Sequence, residues 1–143
     1  MKKRYPDRCE EKVTDEALVL EENRSNITFI NKNKDEILKV KVDKCVTFDE
    51  VICDWLLIRP DDKEFFIELK GSNIKHAYDQ IERSIIKVAK DCYVREKNIY
   101  IVMSNYPKKK INTQVKRKYF QDIYKAKLFV ERTNYIVKDI LTA

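Results

Sequence analysis

"VICDWLLIRPDDKEFFIELKG", residues 51–71, holds two short, nearly continuous apolar runs, 51–58 and 64–69, on either side of "RPDDK". Apolar side chains at successive positions mean strands covered on both faces, so the stretch reads as a hairpin with helices on both sides of its sheet. Asp54 interrupts the first run and Glu68 the second, with Lys70 two positions beyond Glu68. Residues i and i+2 of a strand project from one face, and burying charges there is costly unless they find partners. Acid-x-lysine spacing by itself is cheap, occurring also at Glu10 with Lys12 and Asp61 with Lys63, but those pairs lie in polar stretches. The register decides whether Asp54 joins Glu68. An odd loop, Pro60 to Asp62 or Arg59 to Lys63, puts them directly opposite on one face, whereas a two-residue Asp61-Asp62 turn sends Asp54 to the other side. The spacing predicts the odd loop.

Beyond Gly71, the single glycine, the period changes. Ile74, Ala77, Tyr78, Ile81, Ile85, Val88, Ala89 and Cys92 follow helical spacing, with Ser72 or Asn73 as cap and Gly71 relieving the corner. "NIYIVMS" (98–104) reads as a buried strand, "YPKKK" as a loop, and 112–127 as a basic helix with Val115, Tyr119, Ile123 and Ala126 inward. Upstream, "VTDEALVLEE" (13–22) reads as a short helix on Val13, Ala17, Leu18 and Leu20, capped by Thr14 or Asp15, and "NITFI" and "EILKVKV" as strands around the turn chemistry of "NKNKD". The segment 128–143 takes no assignment. The expected architecture is α/β, a mixed central sheet flanked by helices.

With 143 residues and no repeat or linker, the chain reads as one domain, its core over about 13–104 and a basic extension over about 105–143. Thirty basic against 24 acidic residues give a charge of +6, which suits an anionic partner, nucleic acid ahead of membrane, or else a lysine-rich solvated surface. No apolar run approaches the roughly 20 residues of a membrane span, and no apolar stretch follows the basic N-terminus, so a soluble, unexported protein is expected. Cys9, Cys45, Cys53 and Cys92 form no C-x-x-C pair. The last three sit among apolar residues as small core side chains, in keeping with a reducing cytoplasm.

An Asp54–Glu68–Lys70 cluster could be a plain buried ion network, but an apolar replacement of such a network is often neutral or better for stability. Two carboxylates converging with a lysine suit a hard divalent cation, with the lysine aimed at an oxyanion or an attacking water. "CDWLLI…FFIELKG…AYDQIERSI" resembles the PD-(D/E)XK nuclease superfamily, the fold of restriction endonucleases and RecB-type nucleases, over about residues 36–104. The resemblance implies an αβββαβ core and hydrolysis of phosphodiester bonds in DNA with Mg²⁺, or Mn²⁺ in its place. It implies Asp54 and Glu68 as metal ligands with the Leu69 carbonyl, and Lys70 as the group that orients water or stabilises developing charge. A glutamate of the first helix completes the metal site in many members, matched by Glu22 or Glu21. RecB-like members carry Q-x-x-x-Y on the following helix; Gln80 matches as a catalytic-site residue, but Ser84 stands where the tyrosine would be. Lys75 and His76 on the first turn of that helix, and Lys108, Lys109, Lys110, Lys116 and Arg117 in the basic segment, are the phosphate contacts expected, against the alternative of solvated faces. Cutting both strands implies a homodimer or a larger nucleic-acid-processing partner; a non-catalytic binding or assembly module on the same fold is the rival reading.

Overall fold

The computed structural model describes residues 4–48, 51–106 and 113–143. Its elements run β1 (Glu10–Val13), β2 (Ala17–Glu22), β3 (Ser25–Ile30), β4 (Ile37–Lys41), β5 (Trp55–Ile58), β6 (Glu64–Lys70), α1 (Ile74–Val88), β7 (Lys97–Met103), α2 (Gln114–Tyr124), β8 (Ala126–Arg132) and β9 (Tyr135–Val137). Six strands form a mixed sheet in the order β1-β4-β5-β6-β7-β8, antiparallel from β1 to β6 and parallel from β6 to β8. The protein is thus α/β with a mixed sheet.

The central strands are covered on both faces, but by different layers. Leu56, Ile58 and Phe66 pack towards Tyr78, Ile81 and Ile85 of α1 and Phe120 and Tyr124 of α2. Leu57, Phe65, Ile67 and Leu69 face the other way, onto Leu18, Leu20, Ile27, Phe29 and Val137. Those last five belong to a second sheet of three strands, ordered β2-β3-β9. Among the described residues helices therefore lie on one face only, which corrects the expectation of helices on both. An apolar strand records that it is covered, not what covers it.

The first helix expected over 13–22 is a strand. Leu18 and Leu20 are buried while Ala17, Val19 and Glu21 are exposed, a period of two, and the two leucines pair across β2–β3 with Phe29 and Ile27. Four apolar residues in a row fit either period, and only the partners on β3 and the central sheet choose between them. The two strands read from "NITFI" and "EILKVKV" are β3 and β4, but they belong to different sheets. The "RPDDK" hairpin has the odd loop: Leu57 pairs with Phe65 and Trp55 with Ile67, leaving Arg59–Lys63 as the connection, closed by Arg59 N–H to the Lys63 carbonyl at 3.0 Å.

On α2 the inward pair is Phe120 and Tyr124, not Val115, Tyr119 and Ile123, which are 71, 38 and 43% exposed; Ala126 is buried, but on β8. Two stripes with i, i+4 spacing compete on this helix. The aromatic pair prevails because Phe120 reaches the Tyr78 ring of α1, centroids 6.3 Å apart. Gly71 is not the corner device expected, since its φ is not positive and a methyl group there would meet Ser104 Oγ at an unstrained 3.8 Å. Asn73 takes the left-handed corner instead, at φ 67°, and caps α1 by accepting from the His76 N–H.

Cys9 and Cys45 are joined in a disulfide across 36 residues, correcting the reading of Cys45 as a separate core thiol. The antiparallel pairing of β1 with β4, Glu10 opposite Val40, carries Cys9 towards the segment after β4. Cys53 is buried as expected and Cys92 half-buried, both as free thiols. Disulfides persist in oxidising surroundings, so the cysteines no longer support a reducing compartment. No helix of the described residues is long and apolar enough to cross a membrane.

Candidate active site

Asp54 precedes the first residue of β5, and the β5–β6 register carried one pair further sets it opposite Glu68. Both have the parity of Leu56 and Phe66, so they lie on the α1 side of the sheet. There the carboxylates continue the ladder in place of backbone groups. Glu68 Oε1 accepts from the Asp54 N–H at 3.2 Å, and Asp54 Oδ2 accepts from the Leu69 N–H at 2.9 Å. Lys70 Nζ lies 3.6 Å from Glu68 Oε2, with 18% of its side chain exposed against 1% for Glu68.

The electrostatics of this pair follow from burial and like charge. Desolvation, then the Asp54 charge, push the Glu68 carboxyl up to about 9, with Lys70 pulling it part of the way back. Asp54 is raised as well by desolvation, opposed by its Leu69 N–H bond and by Lys41. Glu64, equally buried at 1% exposure, is different: Arg4 pairs with it at 2.6 Å and the Lys90 N–H donates to it, so its charge is fully accounted for. A carboxyl raised this far keeps a proton that a divalent ion would displace, and two hard oxygen donors facing each other across the strands fit such an ion. Among the described residues no group of three or more His, Cys, Asp or Glu stands together as a ready metal cage. The fit therefore rests on Asp54 and Glu68.

A group with a raised folded-state pKa adds stability below its unfolded pKa and loses it as pH climbs through the folded one. For Glu68 that window runs from its ordinary 4.5 to about 9. Glu68→Gln keeps the acceptor for the Asp54 N–H and removes the titration. In EDTA its melting temperature relative to wild type should rise progressively from pH 5 to pH 9. A constant difference across that range would show that Glu68 is not strained by its charge.

The remaining expected residues divide. Leu69 is in place, but its carbonyl already accepts from Asn23 Nδ2 at 2.9 Å. Glu22 comes from a strand rather than a helix; its charge is felt at Asp54, and its Oε1 is held by Lys41 Nζ at 3.0 Å. Glu21 is exposed on the same strand. Gln80 is buried on α1, and its Nε2 donates to the Ile52 carbonyl at 3.0 Å. One turn on, Ser84 Oγ accepts from the Cys53 N–H at 2.7 Å and donates to the Gln80 carbonyl at 2.6 Å. Gln80 and Ser84 thus grip the two residues before Asp54. Ser84→Ala would orphan the buried Cys53 N–H and cost about 1–3 kcal/mol. Urea denaturation measures this, and a loss below about 0.5 kcal/mol would mean the grip is dispensable.

Lys75 is exposed and His76 half-buried on the first turn of α1. Lys116 lies over the Tyr78 and Tyr119 rings at 5.4 and 5.1 Å, and Arg117 Nε donates to the Leu128 carbonyl at 3.3 Å; neither is ion-paired with Asp54 or Glu68. Lys108, Lys109 and Lys110 fall outside the described residues.

Sequence reasoning did not find Asn23, Ser25 or Ser84. Asn23 lies in the β2–β3 turn and Ser25 directly after it, and Ser25 Oγ donates to the Lys70 carbonyl at 2.8 Å. The signal open to reading was Ser84 itself, one turn after Gln80 on the face of α1 that meets the sheet. With fold and site described, the comparisons add no relative: no family model, curated protein or solved structure matches the chain.

Proposed function

We propose that the protein is a metal-dependent nuclease of the PD-(D/E)XK superfamily, with the restriction-endonuclease-like sheet as its core, hydrolysing phosphodiester bonds in DNA. The observation that carries this is the cross-strand pair of buried carboxylates, Asp54 and Glu68, with the Lys70 ammonium 3.6 Å from Glu68. Stability offers little reason for it, since an apolar set of similar volume would serve as well or better. Asp54 and Glu68 would hold Mg²⁺, or Mn²⁺ in its place. Such an ion supplies positive charge to the phosphoryl group and acidifies a water molecule.

The chain's own residues do the rest. Lys70, partly exposed beside Glu68, presents a fixed positive charge where a non-bridging oxygen gains negative charge. Gln80 and Ser84 hold the backbone before Asp54, so that its carboxylate stays on the Glu68 side. Hydrolysis adds one water across a P–O bond: its oxygen goes to phosphorus, and a proton goes to the departing hydroxyl. A duplex cut on both strands calls for two such sites, hence a homodimer or a larger nucleic-acid-processing partner.

The experiment is cleavage of linear, circular, single-stranded and branched DNA with Mg²⁺, Mn²⁺ or EDTA, by wild type and by Asp54→Asn, Glu68→Gln and Lys70→Met. Metal-dependent cleavage lost in all three supports the proposal. Binding without cleavage at any metal concentration would instead favour a non-catalytic nucleic-acid-binding or assembly module.

A further inference from the structure

At the C-terminal end of β6 lies an open cleft of about 510 Å³, bounded by the β2–β3 turn (Asn23, Arg24), the end of β6 (Lys70, Gly71) and the turn after β7 (Ser104, Asn105). It carries two cations, and none of the described residues lining it is acidic. Arg24 makes no ion pair among the described residues, and Lys70 is shared with Glu68 at 3.6 Å. The composition suits an anion.

Two features of its lining bear on what it could hold. The first is the turn. Asn23 and Arg24 both have positive φ, 50° and 62°, the two-residue hairpin turn whose second position glycine fills without strain. Here a long cationic residue holds that position, and the strained turn is pinned to the site. Asn23 Nδ2 donates to the Leu69 carbonyl at 2.9 Å, Ser25 Oγ to the Lys70 carbonyl at 2.8 Å, and Ser104 Oγ to the Asn23 carbonyl at 3.3 Å. Strain kept under such restraint clusters where a ligand is held. The second feature is Gly71, whose backbone needs no glycine and whose missing side chain would meet nothing closer than 3.8 Å. A bare backbone position in a cleft lets a ligand approach closely. The chain's single glycine is spent there.

We infer that this cleft is a receptor for a backbone phosphate of the nucleic-acid strand, next to the one cleaved, with Arg24 as its cation and Gly71 as its open floor, while Lys70 at its edge stays with the cleaved phosphate. The inference rests on the nuclease reading, since a strand running past Lys70 enters this cleft. Arg24 offers a fork of donors matched to phosphate oxygens, which a lysine would not reproduce. The contact is to the backbone and carries no sequence information.

Arg24→Gly separates binding from folding, because glycine is the better residue for the turn. Binding of a fluorescent 20-base-pair duplex, followed by anisotropy in EDTA over a salt series, should weaken about tenfold at low salt, with the log–log salt slope reduced by about one. The melting temperature should stay level or rise. Gly71→Ala should likewise weaken binding with the melting temperature unchanged. If Arg24→Gly and Gly71→Ala bind as wild type does, the inference is overturned, whatever the cleavage assay shows. If both weaken binding but wild type cuts nothing with any metal, the phosphate receptor stands and the nuclease reading falls.

Discussion

Glu68→Gln and Lys70→Met are each expected to lower Mg²⁺-dependent DNA cleavage by about 10³-fold or more while leaving the protein folded. Loss of one preorganised charge-stabilising group commonly costs about 10²–10³-fold, and a variant that also weakens metal binding loses more. Glu68→Gln is nearly isosteric and keeps the acceptor for the Asp54 N–H, so the backbone between β5 and β6 has no reason to move. The amide also stands in for the neutral carboxyl that burial and Asp54 impose on Glu68, without the cost of protonating it. The variant should therefore be at least as stable as wild type at neutral pH, and a loss of cleavage cannot be blamed on unfolding. Lys70→Met keeps the aliphatic stem and removes the ammonium that pairs with Glu68 at 3.6 Å. Single-turnover cleavage of a labelled duplex, with circular dichroism as the folding check, decides the matter. Cleavage within tenfold of wild type in either variant would assign the cluster a structural role and sink the nuclease proposal.

Phe29→Ala should be the most damaging apolar truncation outside the helix-facing core. Phe29 is fully buried on β3, its ring 5.2 Å from Tyr100 in an edge-on contact and 5.9 Å from Phe65. Those partners sit on β7 and β6, so one side chain couples the small sheet to the strand that carries Glu68 and Lys70. Truncating a buried phenylalanine costs about 3–5 kcal/mol. Domains are typically stable by about 5–15 kcal/mol, so the melting temperature should fall by on the order of 10 °C. A shift under about 2 °C would mean that the three-stranded sheet does not close this face.

Much of the site was legible because its evidence is local. Asp54 and Glu68 stand out as charges inside apolar runs, and the parity of a five-residue loop settles whether they share a face. Gln80 drew notice as the glutamine of a family motif, but its hydrogen bond goes to the carbonyl of Ile52, 28 residues away. Ser84 was read only as a departure from a motif, although it holds the very next backbone group. Glu22 was placed near the site through a helix that does not form, and reaches Asp54's surroundings from β2 instead. The stripe Val115, Tyr119 and Ile123 has correct helical spacing and still faces outward, because periodicity defines a face without saying which face meets the core.

By itself the sequence determined the β5–β6 hairpin, the long helix after it, the strand β7 and the convergence of Asp54, Glu68 and Lys70. Each follows from periods of two or 3.6 residues and from turn length, which act over a few neighbours. Only the tertiary structure decided that a second sheet covers one face, that 17–22 is a strand, that Cys9 meets Cys45, and that the β2–β3 turn brings Arg24 to the cleft beside Lys70. Those outcomes depend on which distant apolar surface a segment buries. A run such as "ALVLEE" fits more than one period, and its conformation is set by the partner that excludes water from it.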